Sequence, residues 1–408
     1  MILSRSPLLA VFLSAVLLVC GPIAAQALGG QVDVAKAKRG GNPSLCLVAF
    51  EGSATAKAHL LRVLKQCDWF TIVPTGAKAS YRLSARHTDG ASPGLSARLV
   101  DGGGKTYEAQ RRAAGGGDAD EIYYTVVDDL LRAVFKVPGL CSRPIAFAVA
   151  GKNSQKEIYT CRFDGTKATR LTHNGTISTE PSWGLNGDAL VYTAYSASTT
   201  SVVLLDMVRG RQRRLSRFKG LNAGAVLSPD GKWAALCLSR GKRIDLYLLS
   251  VETGQVHQVT NDLATESSPC WSPDGRYLCY VSDKAGSPQL YVLPAAGGKS
   301  VRLVRDRVEA VSPDWSAVSN RVCFATRRGR QYVIAYVDMA DKTRERIVVT
   351  QTAGDWESPC WAPDGRHIVC SRRLKQNRSL WMVDTVRHQT LPITGAGDHS
   401  LPSWATAK

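Results

Sequence analysis

Residues 267–275 read SSPCWSPDG and residues 357–365 read ESPCWAPDG. Two such similar stretches in one chain raise the question of a repeat, and the tryptophan is the mark to follow. It recurs in PSW at Trp183, PCW at Trp271, PDW at Trp315, PCW at Trp361 and PSW at Trp404. Between Trp183 and Trp271, the stretch AVLSPDG puts Leu227 at the equivalent point. Successive marks are 44, 44, 44, 46 and 43 residues apart. A period of roughly 40–45 residues is that of a four-stranded propeller blade.

Each period has a blade's contents. A turn follows the mark: Asn186-Gly187, or Pro-Asp-Gly at 229–231, 273–275 and 363–365. Glycine there supplies positive φ without a Cβ clash. A short apolar run follows (ALVYT at 189–193, WAALC at 233–237, YLCYV at 277–281), then a third (SVVLLDM, IDLYLL, QLYVLP), then a fourth (QRRLS at 212–216, VHQVT at 256–260, SVRLV at 300–304). The last mark has almost no chain after it. Residues 145–149, 157–163 and 168–172 match the second, third and fourth strands of a repeat that lacks a first. The expectation is that SLPSW at 400–404 pairs with 143–149. That makes a mainly β chain, a six-bladed β-propeller whose C-terminal strand closes the ring and leaves no long inner edge unpaired.

The first 27 residues read as a secretion signal, with Arg5, a twelve-residue apolar core at 8–19, and Ala25-Gln26-Ala27 before the cleavage point. The core is too short to span a bilayer. Lipidation at Cys20 is the rival, weakened by Val19 where a small residue is expected. Residues 28–41 (LGGQVDVAKAKRGG) read as a flexible arm, and residues 42–138 as a small α+β domain. That domain has strands at 45–50, 69–73 and 81–86, a helix at 54–67, and a hairpin around Gly102-Gly103-Gly104. A second helix opens at Asp118 with Glu121 as a capping box and runs to Phe135. Residues 139–408 are the propeller.

The formal charge is +18. In a cytosolic protein that would suggest nucleic acid; export argues against it. Basic residues cluster at Arg209, Arg211, Arg213, Arg214 and Arg217, at Arg327, Arg328 and Arg330, and at Arg372, Arg373 and Lys375. They form either a solvated rim or a surface that steers acidic partners. If Trp271 pairs with Leu278, then Cys270 and Cys279 sit opposite one another and are a candidate disulfide. Cys360 and Cys370 are one residue out of that register and should face opposite sides.

Together the signal, the α+β unit, the segment DEIYYTVVDDLLRAVFKVPGLCSRPIAFAV and the six repeats closed by the chain's end resemble the TolB family, the periplasmic propellers of the Tol–Pal envelope system. The family's usual Ala-His…Ser-Asp stretch is replaced by AGGGDAD at 114–120. The resemblance implies a periplasmic, monomeric, non-catalytic scaffold without cofactor, which supports outer-membrane integrity and cell division. It also implies two partners. A Pal-like peptidoglycan-associated lipoprotein would bind one propeller mouth, on loops carrying Thr179, Glu180, Asn222, Ala223, Gly224, Glu266, Ser267, Ser268, Glu309, Ala310, Glu357, Ser358, His399 and Ser400. A TolA-like inner-membrane protein would take the arm, with Gln31, Val32, Asp33 and Val34 able to add as an edge strand. Contact with the membrane would then run only through partners. For any one mouth residue, a simple capping role competes with docking.

Enzymatic readings fare less well. Asp230, Asp274 and Asp364 recur because each hairpin needs a turn residue, whereas a catalytic carboxylate is needed once. The chain has no GxSxG elbow, P-loop or GxGxxG. A lyase-type propeller would gather several histidines on a metal, and only His399 is expected at an inner loop. A glycan-binding propeller is the third class, and exposed tryptophans at the mouth would favour it.

Overall fold

The structure, a computed structural model, describes residues 41–114, 118–240, 243–306 and 308–406. The signal, Cys20 and the arm residues Gln31 to Val34 lie outside them. The chain enters as β1 (Ser44–Glu51), α1 (Ala54–Gln66), β2 (Thr71–Val73), β3 (Tyr81–Thr88), β4 (Gly94–Asp101), β5 (Thr106–Arg112) and α2 (Glu121–Phe135). β1 and β2 pair in parallel, and α1 supplies the helix-length crossover such a pair needs. The sheet order is β2-β1-β3-β4-β5. Ser53 caps α1 by accepting from the Ala56 N–H at 3.1 Å. The helix buries Leu60, Val63 and Leu64. The capping box expected on α2 does not form: its N-cap is Asp120, which makes no side-chain cap bond. Asp118 pairs instead with Arg162 and Lys167. Gly139 in the joint after α2 is required, because a Cβ there would lie 2.2 Å from the Asp128 carboxyl carbon. That carboxylate accepts the Cys141 and Ser142 N–H groups at 2.8 and 2.9 Å.

The repeats follow as β6 (Ile145–Ala150), β7 (Lys156–Cys161), β8 (Thr169–Arg170), β9 (Ile177–Trp183), β10 (Ala189–Tyr195), β11 (Thr200–Asp206) and β12 (Arg211–Ser216). Four further four-stranded antiparallel sheets cover 222–258, 266–302, 310–348 and 355–392. The C-terminal strand His399–Trp404 pairs antiparallel with β6, with Trp404 opposite Ile145 and His399 opposite Val149. β7 touches β9 at a single parallel pairing, Lys156 with Ile177. Strands β9 to β12 therefore form one four-stranded group, and β8, β7, β6 and the C-terminal strand form another.

Apolar clusters lie between successive sheets. One joins the sheets 222–258 and 266–302 through Ala235, Leu246, Tyr280 and Leu293. Another joins the group of β6 and β7 to that of β9–β12 through Ala148, Ile158, Leu190 and Tyr192. The largest fuses the α+β core (Leu45, Leu60, Leu83, Leu130) with Phe147, Phe163, Val369, Leu380 and Trp404. The small unit is thus seated on the seam between the sheet 355–392 and the sheet of β6.

The outer strands are shorter than the apolar runs suggest, for a repeated reason. The N–H groups of Ile158, Leu246, Ile334 and Leu380 donate to the hydroxyls of Thr172, Thr260, Thr350 and Thr394 at 2.8–2.9 Å. A threonine side chain takes the place of a ladder carbonyl, so the backbone leaves the sheet early. β12 is the longest outer strand, and its exposed Arg211, Arg213 and Arg214 protect it from adding further strands.

Trp404 is buried, and its indole N–H donates to the Arg143 carbonyl at 3.2 Å. Replacing it with alanine should cost about 3–5 kcal/mol of unfolding free energy. Urea denaturation would show this as a lower midpoint, and a midpoint equal to wild type would refute the anchoring role.

Candidate functional site

The inner strands share one irregularity. Glu180, Gly224, Ser268, Ser312, Ser358 and Leu401 all have φ between 50° and 63°. Each lies three residues before its mark, and each sits at a register shift against the second strand of its sheet. These are six copies of a β-bulge, a device that bends a strand and re-aims its side chains. Among the expected mouth residues only Glu309 lies outside a strand. Thr179, Glu180, Asn222, Ala223, Gly224, Glu266, Ser267, Ser268, Ala310, Glu357, Ser358, His399 and Ser400 lie within the inner strands, not in loops. Ser312 and Leu401 belong to the same set. Counting three residues back from each mark would have found them.

The side chains at these strands are largely engaged with the protein itself. The Glu180 carboxylate accepts the Thr193 hydroxyl at 2.7 Å and the Gly224 N–H of the next sheet at 2.9 Å. Glu266 is fully buried and accepts from Ser282 and Thr260; burial pushes it up to about 7. Glu309 pairs with Arg327 at 3.1 Å and accepts the Tyr332 hydroxyl. Glu357 lies 3.6 Å from Arg373 and 3.5 Å from Arg378. Asn222 bonds Phe218 and Gly220, and His399 bonds Thr394.

Residues just before the marks link one sheet to the next. Ser403 accepts the Trp183 N–H, Asp314 the Trp361 N–H, and the Cys360 sulfur the Trp404 N–H. Burial pushes Asp314 up to about 6. Cys270 and Cys279 stand opposite each other as expected, and both are free thiols in this structure. Cys360 is opposite Val369, so Cys370 does face the other side.

The other end of the sheets holds the α+β unit, and there one repeat departs from its siblings. In SPDG at 228–231 and 272–275 the serine hydroxyl donates to the turn aspartate, Asp230 or Asp274, at 2.5–2.6 Å. The third copy has Ala362. Its Asp364 instead accepts the Trp69 indole N–H at 3.0 Å and meets His367 Nδ1 at 2.6 Å. Arg366, fully buried, holds both oxygens of Asp384 and reaches Asn42 at 2.6 Å. Arg387 pairs with Asp68 at 2.6 Å. Three carboxylates thus face three cations. A second contact joins Asp118 and Asp120 before α2 to Arg162 and Lys167.

Residues 134–408 match the family model described as the TolB beta propeller domain. The chain belongs to the TolB family. The Tol-Pal system protein TolB of Francisella tularensis is 32% identical over 107 residues, which is 26% of this chain and 25% of that protein. The Tol-Pal system protein TolB of Desulfosudis oleivorans is 30% identical over 132 residues, 32% of this chain and 30% of that one. The aligned stretch thus spans between a quarter and a third of these curated relatives. The crystal structure of TolB from Acinetobacter baumannii superposes with a TM-score of 0.81 at 21% identity, covering 90% of this chain and 97% of that one. At that identity the likeness is one of fold.

In this TolB-family chain, ligand atoms of Asp68, His367 and Asp384 come within 4.8 Å of one another, a spacing that suits a cation. Their chemistry suits an ion-pair lock better, since Arg366 already occupies both oxygens of Asp384 and Arg387 holds Asp68. The remaining histidines do not join His367 in a metal-holding group among the described residues. No helix among the described residues is long and apolar enough to cross a membrane.

Burial alone would lower the His367 pKa, but the Asp364 carboxylate outweighs it, with help from Asp68, and raises it to about 10. Burial likewise works against the charged Asp364, and His367 overcomes it, drawing the carboxyl down to about 2. The folded pKa of His367 lies above its unfolded value near 6.5. Its stabilisation is therefore complete below about pH 6.5 and lost as pH rises through about 10. That of Asp364 is present above about pH 4 and lost as pH falls through about 2. The stability gap between wild type and His367→Gln should narrow steadily from pH 6.5 to 10 in urea titrations. A gap constant over that range would refute a charged His367.

Proposed function

We propose that this chain is an exported, non-catalytic protein-binding scaffold of a Tol–Pal-like complex in the periplasm, with the signal cleaved after Ala27. The six four-stranded groups form a closed six-bladed ring over 139–408, and the α+β unit over 42–138 closes one end of it. The bulged end receives a Pal-like peptidoglycan-associated lipoprotein. The arm at 28–41, with Gln31, Val32, Asp33 and Val34, receives a TolA-like inner-membrane protein. The scaffold acts as a monomer, without nucleic acid, and reaches membranes only through these partners. In this role it supports outer-membrane integrity and cell division.

The observation that carries the reading is the family match over 134–408. The local chemistry agrees with it. Among the fourteen mouth residues no nucleophile–base pair is assembled, and the carboxylates there are engaged by hydroxyls, arginines and backbone N–H groups of the same chain. Such groups stiffen a surface and leave it shaped for docking.

A pull-down from solubilised envelopes with residues 28–408 should recover both partners. The same experiment with 42–408 should lose the TolA-like protein and keep the lipoprotein. Recovery of neither partner by the longer chain would count against the assignment.

A further inference from the structure

The bulged end bears charge that the sequence distributes ambiguously and the packing sorts. The tips of the hairpins between second and third strands project at the same end as the starts of the inner strands. Arg328 pairs with Gln331 at one tip and Leu374 with Asn377 at another, while Ala310 faces Thr326 and Asp355 faces Arg373 alongside. The mouth carboxylates Glu309, Asp355, Glu357 and Asp398 all pair with arginines of these hairpins. Arg240, Arg243, Arg328, Arg330 and Lys375 are exposed, and among the described residues none of the five forms an ion pair. Asp283, at the tip after Ser282, is exposed and its carboxylate accepts only the Thr265 N–H among the described residues, so free cations outnumber it and the surplus charge at this end is positive.

The hairpins are held in place. Arg327 lies 4.2 Å over the Tyr332 ring, Arg372 about 5 Å from both Trp356 and Trp381, and Arg240 4.8 Å over Phe218. Arginine dominates, and its planar fork matches carboxylates two bonds at a time. Beside Arg240 and Arg243 is a recess of about 650 Å³ that also takes in Tyr247 and Leu263, and Leu263 is 80% exposed. Asp245, Gln258 and Asp262 also line the recess, with Asp262 held 3.5 Å from Lys284, so it is mixed in polarity. A guanidinium held on a ring at Arg240, beside Tyr247 and Leu263, suits a folded protein surface better than a flat anionic bilayer, which offers no side chain to fill the recess.

We propose that the bulged end receives a carboxylate-rich protein face, with an apolar side chain of the partner seated at Leu263 and electrostatic attraction to the free arginines setting the association rate. This rests on the reading that the bulged end is the partner face.

The test uses residues 28–408 and three probes: the lipid-free peptidoglycan-associated lipoprotein of the same organism, a fluorescent oligoglutamate peptide, and phosphatidylglycerol vesicles. Association with the lipoprotein should slow about tenfold or more as salt rises from about 20 to about 200 mM. The triple variant Arg328→Glu, Arg330→Glu, Lys375→Glu should slow it by a similar factor and abolish oligoglutamate binding. The pair Arg209→Glu, Arg211→Glu, away from this end, should change neither. Circular dichroism and melting check each fold. An association rate indifferent to salt and to the triple variant would overturn the inference and leave the scaffold reading intact. So would loss of vesicle binding alone. Oligoglutamate binding that the triple variant abolishes, with no lipoprotein binding at all, would sink the scaffold reading and keep the charge assignment. Binding of neither protein nor peptide would end the inference.

Discussion

The innermost strand of a propeller sheet has a partner on one edge only. The N–H groups on its other edge face the hub and cost free energy if left bare. This chain answers with side chains passed from one sheet to the next. Glu180 reaches the Gly224 N–H, Asp314 the Trp361 N–H, Ser403 the Trp183 N–H and Cys360 the Trp404 N–H. Each such bond crosses a sheet boundary, so the hub is knit by hydrogen bonds as well as by the apolar clusters between sheets. The bulges at Glu180, Gly224, Ser268, Ser312, Ser358 and Leu401 supply the bend that permits this crossing.

The same constraint accounts for how the predicted mouth carboxylates are engaged. A carboxylate that satisfies a backbone donor or an adjacent arginine is a fixed part of the frame. Glu266 and Asp314, pushed up to about 7 and 6 by burial, bond hydroxyls and backbone of the same chain. What faces outward is the surplus of arginine on the hairpin tips.

At the opposite end, the loss of one hydroxyl has a structural consequence. Where Ser228 and Ser272 occupy the turn aspartate, Ala362 leaves Asp364 free to receive Trp69 and His367. The lysine or arginine that is exposed after the other turns becomes Arg366, buried against Asp384 and Asn42. One repeat is thereby converted from a surface turn into the seat of the α+β unit.

The period of 44, the Asp-Gly turns and the headless first repeat determined the four-stranded sheets and the pairing of His399–Trp404 with β6, because strand patterning and turn chemistry are local properties written in neighbouring residues. The register of Cys270 against Cys279 followed from the same local logic. The single letter Ala362 for serine was visible too, but nothing beside it revealed a partner nearly 300 positions earlier at Trp69. The failure of the Asp118 cap in favour of Arg162 and the sign of the surplus charge at the mouth were decided by tertiary structure alone. Each depends on which of several competing partners lies within hydrogen-bonding reach, and only packing brings residues from distant parts of the chain to that distance.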